Sequence, residues 1–305
     1  MSADTHAPLR PLAAELEALG ILARERLRPF YPRVRDRDDI TVLRDPLSEV
    51  IVLSSSEHMS LDYYAAKPER TGHAVDGRQV ETPRLEDNIR RTERFGALLR
   101  NRRWLDFGCG LGGMLDEFAG QAALAVGLEP NRQRAAITAA KGHAVVGDLD
   151  EIGAGSLDII SMFHVLEHLT EPSRTLARLR STLKPGGTLL IEVPHARDAL
   201  LTLYDCEPFK AFTFWSEHLV LHTRQSLRLL LEGAGFAQVE ISGQQRYPVS
   251  NHLHWLSKQA PGGHQAWAFL DADGLHAQYE AALARIDRTD TLIATARVPS
   301  ARDTA

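Results

Sequence analysis

Five short apolar runs, separated by turns and helix-length segments, constrain the chain more than any other feature. They read RWLDF, LAVGLEP, HAVVGD, LDIISMF and GTLLIEVP. The helical segments are RLEDNIRRTERFGALLR ahead of them, then Gly113 to Ala119, Asn131 to Lys141 and Ser173 to Leu183. Strands alternating with helices build βαβ units around a parallel sheet covered on both faces. Two later runs, AQVEISGQQRYP after the Gly235-closed helix SLRLLLEGAGF, and DTLIATARV near the end, bring the sheet to seven strands. The predicted fold is α/β, doubly wound and Rossmann-like.

The first strand of the series runs into a loop with four glycines, at positions 108, 110, 112 and 113. Glycine permits positive φ and lets backbone approach a ligand closely, and doubly wound sheets bind ligands beyond the carboxyl ends of their strands. Read alone, the loop is open to a second, weaker reading as a plain strand-to-helix connector. A dinucleotide site would need an acid about twenty positions on, and Glu129 ends the next strand. Asp106, however, closes the first strand where it would repel a pyrophosphate and face a cationic ligand instead.

The chain resembles the class I S-adenosylmethionine-dependent methyltransferases. The matching segments, in order, are LDFGCGLG, Glu129, VVGDLDEI, LDIISMFHVLEHLTEP and LKPGGTLLIEVP, and they span roughly residues 85 to 240. The resemblance implies S-adenosyl-L-methionine as cofactor. Asp106 and the backbone of Gly108, Cys109, Gly110 and Gly112 would hold its methionine moiety. Glu129, with Pro130, would take the ribose hydroxyls, Asp148 and the Leu149 amide the adenine, and His164 would pack nearby. A dehydrogenase, and a binding protein that keeps the fold without turnover, are the readings set against an enzyme.

An N-terminal extension is expected over 1–84, the cofactor-binding core over 85–247, a lid over 248–288, and the last strand with its tail over 289–305. Within the extension a helix is predicted from Leu12 to Arg28, a β-branched strand around Glu49 to Ser55, and a loop over LDYYAAKPERTGHAVDGRQVETP. A net charge of −5 gives no general pull on a polyanion, so nucleic acid is not an expected partner. Two cysteines, Cys109 and Cys206, are too few for a disulfide framework. With neither a signal-like start nor a membrane-length apolar run, a cytoplasmic location is expected.

A methyltransferase must align the acceptor with the S–CH3 bond and, for a hydroxyl, remove its proton. HVLEH supplies His164, Glu167 and His168; FWSEHLVLH supplies Glu217, His218 and His222. The second segment resembles that of bacterial sugar methyltransferases, which implies a small-molecule or glycan acceptor, most readily a sugar, with His218 as base assisted by Glu217 and His164. Small-RNA 2′-hydroxyl and quinone-pathway methyltransferases instead bind a divalent metal through Glu-x-x-Glu-His and a later His. Here His164 replaces the first acid, so no metal is expected. Residues 40–64 are similar to the zinc-binding segment of sugar C-methyltransferases, with Asp45 and Ser48 where two cysteines would stand. The run QQRYPVSNHLHWLSKQAPGGHQAWAF offers Arg246, Tyr247, Trp255, Trp267, His252, His254 and His264, suited to a lid over a polar ring or to a homodimer interface.

Overall fold

The computed structural model describes residues 12–59, 86–272 and 274–300. The loop expected over 61–83 lies outside them. Strands β1 (Arg28–Tyr31), β2 (Val42–Arg44) and β3 (Ile51–Leu53) form an antiparallel meander. Next come the strands predicted from the apolar runs: β4 (Arg103–Phe107), β5 (Leu124–Leu128), β6 (Ala144–Val146), β7 (Leu157–Phe163) and β8 (Leu183–Pro194). The two-residue β9 (Val220–Leu221) pairs with β3, while β10 (Ala237–Gln244) and β11 (Thr291–Arg297) return to the large sheet. Its order is β10-β11-β8-β7-β4-β5-β6, with β4 to β8 parallel and the last two strands antiparallel. The seven-stranded α/β sheet expected from the sequence is therefore present.

Burial explains why these runs become inner strands. Leu105, Ile160, Leu189, Leu190 and Ile191 are 0% exposed, and covering a side chain of this size contributes about 1.5–3 kcal/mol. A polar link inside this layer is satisfied: the Trp104 indole N–H donates to Ser161 Oγ at 2.8 Å, and Ser161 donates to Asp106 Oδ1 at 2.7 Å. Strand order turns at β4, whose neighbours are β5 on one side and β7 on the other, so a crevice opens above the carboxyl ends of β4 and β7.

One expectation about the extension is corrected. The first helix runs only from Leu12 to Ala18; Gly20 at φ +69 ends it, and Arg28 already belongs to β1. The meander of the extension continues through β9 into a four-stranded sheet with a segment of the core. The strand around 49–55 is there as β3, in a hairpin with β2. Asp45 is fully buried at that hairpin's turn, where it accepts from Arg26 Nη2 at 2.7 Å and from the Ala23 and Leu47 amides. A carboxylate–guanidinium pair thus ties together the turn where zinc-binding cysteines would align. Among the described residues no helix is long and apolar enough to cross a membrane.

Candidate active site

The glycine loop leaves β4 at the switch point. A Cβ on Gly108 would sit 2.6 Å from Val165 Cγ2, so this glycine lets the loop touch the turn that follows β7. Gly110 differs. Its φ is +55, yet nothing lies within 4 Å of where a Cβ would stand, so the backbone there is left-handed beside open space. Asp106 is 4% exposed, and burial, only partly offset by the Ser161 hydrogen bond and the Arg91 charge, pushes its carboxyl up to about 6. Cys109 packs inward with its thiol held neutral by burial.

The other residues expected to touch the cofactor follow the carboxyl ends of the neighbouring strands. Glu129 is buried just beyond β5 and accepts from the Gly110 amide at 3.0 Å and the Asn131 amide at 2.9 Å; Pro130 follows it, half-buried. Asp148 is half-exposed and caps the short turn Leu149–Glu151, accepting from the Asp150 amide at 2.8 Å and from Arg178 Nη2 at 2.7 Å. Those bonds, the backbone one first, lower its pKa. Leu149 turns inward.

His164 ends β7 at φ +55, a backbone strain of about 1–3 kcal/mol for a non-glycine residue. What holds it there is a charge network. Its Nδ1 lies 3.1 Å from Glu167 Oε1, its Nε2 3.1 Å from Glu192 Oε1 and 3.0 Å from Arg246 Nη1. Burial and Arg246 favour the neutral ring, but the two carboxylates outweigh them and raise its pKa. Glu192 also accepts from Arg90 and Arg91, the latter at 2.6 Å, and Arg246 pairs with Asp87. The sequence reading missed Glu192; its signal was an acid inside the apolar strand GTLLIEVP, a residue that stays buried only when paired.

Glu167, His168 and His218 come together. One ligating atom from each lies within 4.8 Å of the others. Glu167 is fully buried; burial alone would raise its pKa, but His164, His168 and His218 bring it down to about 2. Its Oε2 has no hydrogen-bond partner. His168 Nδ1 donates to the Glu217 carbonyl at 2.8 Å, which leaves Nε2 as an acceptor. Burial, then the neighbouring His168, pushes His218 down to about 3. Glu217 is itself buried. The segment is held by the extension: Ser216 bonds Asp36 through both its amide and its hydroxyl, and the Leu53 amide donates to Leu219.

His164 and His218 both line a cleft of about 260 Å³. Its lining includes the apolar Leu200, Phe209, Phe212 and Trp255 and the polar His195, Asp198, His252 and Asp290. Of the residues expected in the lid, Tyr247, His252, Trp255 and His264 line it, together with Arg246. Trp267 and His254 are not part of that lining and pack on each other at 5.0 Å instead. His222 is buried behind the site, its Nδ1 3.1 Å from Ser226 Oγ.

Residues 78–241 match the model of a family described as "Methyltransferase domain". A ubiquinone biosynthesis O-methyltransferase of Xanthomonas axonopodis pv. citri is 34% identical over 167 residues, 49% of this chain and 67% of that one. Its counterpart in Bradyrhizobium sp. is 33% identical over 103 residues, 30% of this chain and 40% of the other. The chain thus spans only 40% to 67% of the length of these two relatives. In three dimensions it is similar to a SAM-dependent methyltransferase from Archaeoglobus fulgidus, with a TM-score of 0.50 and 19% identity, covering 70% of this chain and 94% of that one.

Proposed function

Because the chain belongs to the methyltransferase-domain family and is a class I S-adenosylmethionine-dependent enzyme, we propose that it methylates a hydroxyl on a small ring-bearing acceptor, with Glu167, His168 and His218 holding a divalent cation. One observation carries this reading: a buried carboxylate oxygen of Glu167 with no protein partner, beside two histidines whose ligating atoms lie within 4.8 Å. A buried anionic oxygen is strongly disfavoured unless something positive meets it. The relatives named above are O-methyltransferases of a quinone pathway, which supports a ring hydroxyl over the sugar suggested by the FWSEHLVLH segment.

The crevice suits the cofactor. The space at Gly110 is what a Cβ would fill, and Asp106 is a buried acid that a cationic ligand would relieve. The bound cofactor supplies a methyl group already activated on a sulfonium sulfur. We assign Asp106 and the loop amides to its methionine end, Glu129 to its ribose and Asp148 with Leu149 to its adenine. A divalent cation at the histidines would lower the pKa of an acceptor hydroxyl. His168 is pre-set for such a ligand role by its bond to the Glu217 carbonyl. His164 orients Glu167 from the other side, and the cleft walls hold the acceptor ring while the lid residues exclude water.

The second reading has His218 as general base, and its location on the cleft favours it. A ring pushed down to about 3 accepts a proton poorly at neutral pH, so the cation reading stands first. Electron paramagnetic resonance with Mn²⁺ separates the two. Wild type is expected to bind one ion and Glu167→Gln to lose it; chelation is expected to stop methyl transfer to catechols, with Mg²⁺ or Mn²⁺ restoring it. Full activity in chelator, together with a 100- to 10,000-fold loss in His218→Ala at about the scale of general-base catalysis, would establish the base instead.

A further inference from the structure

Asp198, an acid on the cleft, is not used by the chemistry above. Asp198 is 5% exposed and lines the cleft that His218 also lines. Its Oδ1 accepts from the Leu200 amide at 2.7 Å, capping the four-residue helix Ala199–Thr202. Among the described residues no cation pairs with it. The nearby positive groups are committed: Arg197 to Glu49 and Asp287, Arg246 to Asp87 and His164. The charged group that does act on Asp198 is another acid, Asp290, on the same cleft. Asp290 is itself held by the Arg246 and Tyr247 amides and by Gln245 Nε2 at 2.9 Å.

A cap does not require this arrangement. Asn or Ser would cap as well without charge, and an acid with no counter-ion beside a second acid destabilises the free protein. Burial and Asp290 hold the Asp198 carboxyl well above the usual carboxylate range. A cation entering the cleft would remove that penalty. The surroundings suit one: Trp255, Phe209 and Phe212 present aromatic surface, to which cations are attracted. Of the other polar groups on the cleft, His252 is engaged, its Nδ1 2.6 Å from Tyr279 Oη, which in turn lies 3.1 Å from Tyr204 Oη, while the buried His195 Nε2 has no hydrogen-bond partner. Asp198 is thus an acid on the cleft with no cationic partner among the described residues, and a positive ligand would favour its ionised form.

We propose that the acceptor carries a basic nitrogen as well as its hydroxyl, and that Asp198 selects it by binding the ammonium. This rests on the methyl-transfer reading above and adds the acceptor's charge to it. Dopamine and 4-propylcatechol, nearly identical in shape but differing by the amine, serve as probes. Calorimetry is run on the full chain with Mg²⁺ and S-adenosylhomocysteine present. Wild type is expected to bind dopamine about 10- to 100-fold more tightly, the scale of one hydrogen bond to a charged group. Asp198→Asn, which keeps the cap and the volume, is expected to erase that preference while 4-propylcatechol affinity stays within about twofold. Equal affinities in wild type, no dopamine binding at millimolar concentration, or a preference that survives Asp198→Asn would each overturn the proposal. Mass spectrometry of the same mixtures with S-adenosylmethionine separates the two readings. Tight dopamine binding without a methylated hydroxyl would sink the hydroxyl reading alone; equal methylation of both probes would sink only the ammonium.

Discussion

The crevice around Gly110 and the cleft around His218 meet at the turn after β7, yet they are built by opposite means. The crevice is made of strand ends and backbone: Asp106, the glycine loop and Glu129 fall within 24 residues of one another and rest on adjacent parallel strands. The cleft draws on four distant segments, around 164–168, 194–221, 246–264 and 290–291. The first is fixed by local rules that every sheet of this type obeys. The second depends on tertiary assembly, and that is where one methyltransferase is free to differ from another.

If the two regions are separable, damage to one should leave the other intact. The largest effect is expected from Glu129→Ala, which should weaken cofactor binding by about 2–4 kcal/mol, the scale of two charge-assisted hydrogen bonds, with Mn²⁺ binding unchanged. Calorimetry with each ligand tests both halves; simultaneous loss of Mn²⁺ would show one coupled site. A smaller effect comes from acid. Asp106 in the free protein takes up a proton as pH falls through about 6, and a cationic ligand prefers it ionised, so cofactor affinity should drop about tenfold between pH 7 and pH 5. A flat profile would remove Asp106 from the cofactor's neighbourhood. The smallest is expected from Asp148→Ala: the lost cap should lower stability by about 1 kcal/mol in thermal unfolding, with cofactor affinity falling less than tenfold. A loss as large as that of Glu129→Ala would mean that the Arg178 pair gives way to the adenine on binding.

The same division governs what could be read in advance. All seven strands of the large sheet were legible, because each is a short apolar run bounded by turn residues. Glu129 and Asp106 were legible because they end strands. The grouping of Glu167 and His168 with His218 was legible only as the metal-binding alternative, and His164 in place of that pattern's first acid weighed against it. Asp198 gave no signal at all: in HARDALL it reads as an ordinary helix cap, and only the approach of Asp290 from the far end of the chain makes it unusual. The role of the extension was hidden for a similar reason, because β9 is two residues long and shows no periodicity.

That short strand places a constraint on the order of events as the protein is made. Asp36 and Ser216 are hydrogen-bonded across 180 positions of sequence, and closing a loop of that size has an entropic cost that must be met before its contacts stabilise anything. The βαβ units between them join neighbouring segments and can form as the chain emerges, which readies the crevice early. His218 is fixed only when the meander, synthesised first, captures a strand that appears after all the βαβ units. The enzyme therefore acquires the means to bind its methyl donor before it acquires the means to use it.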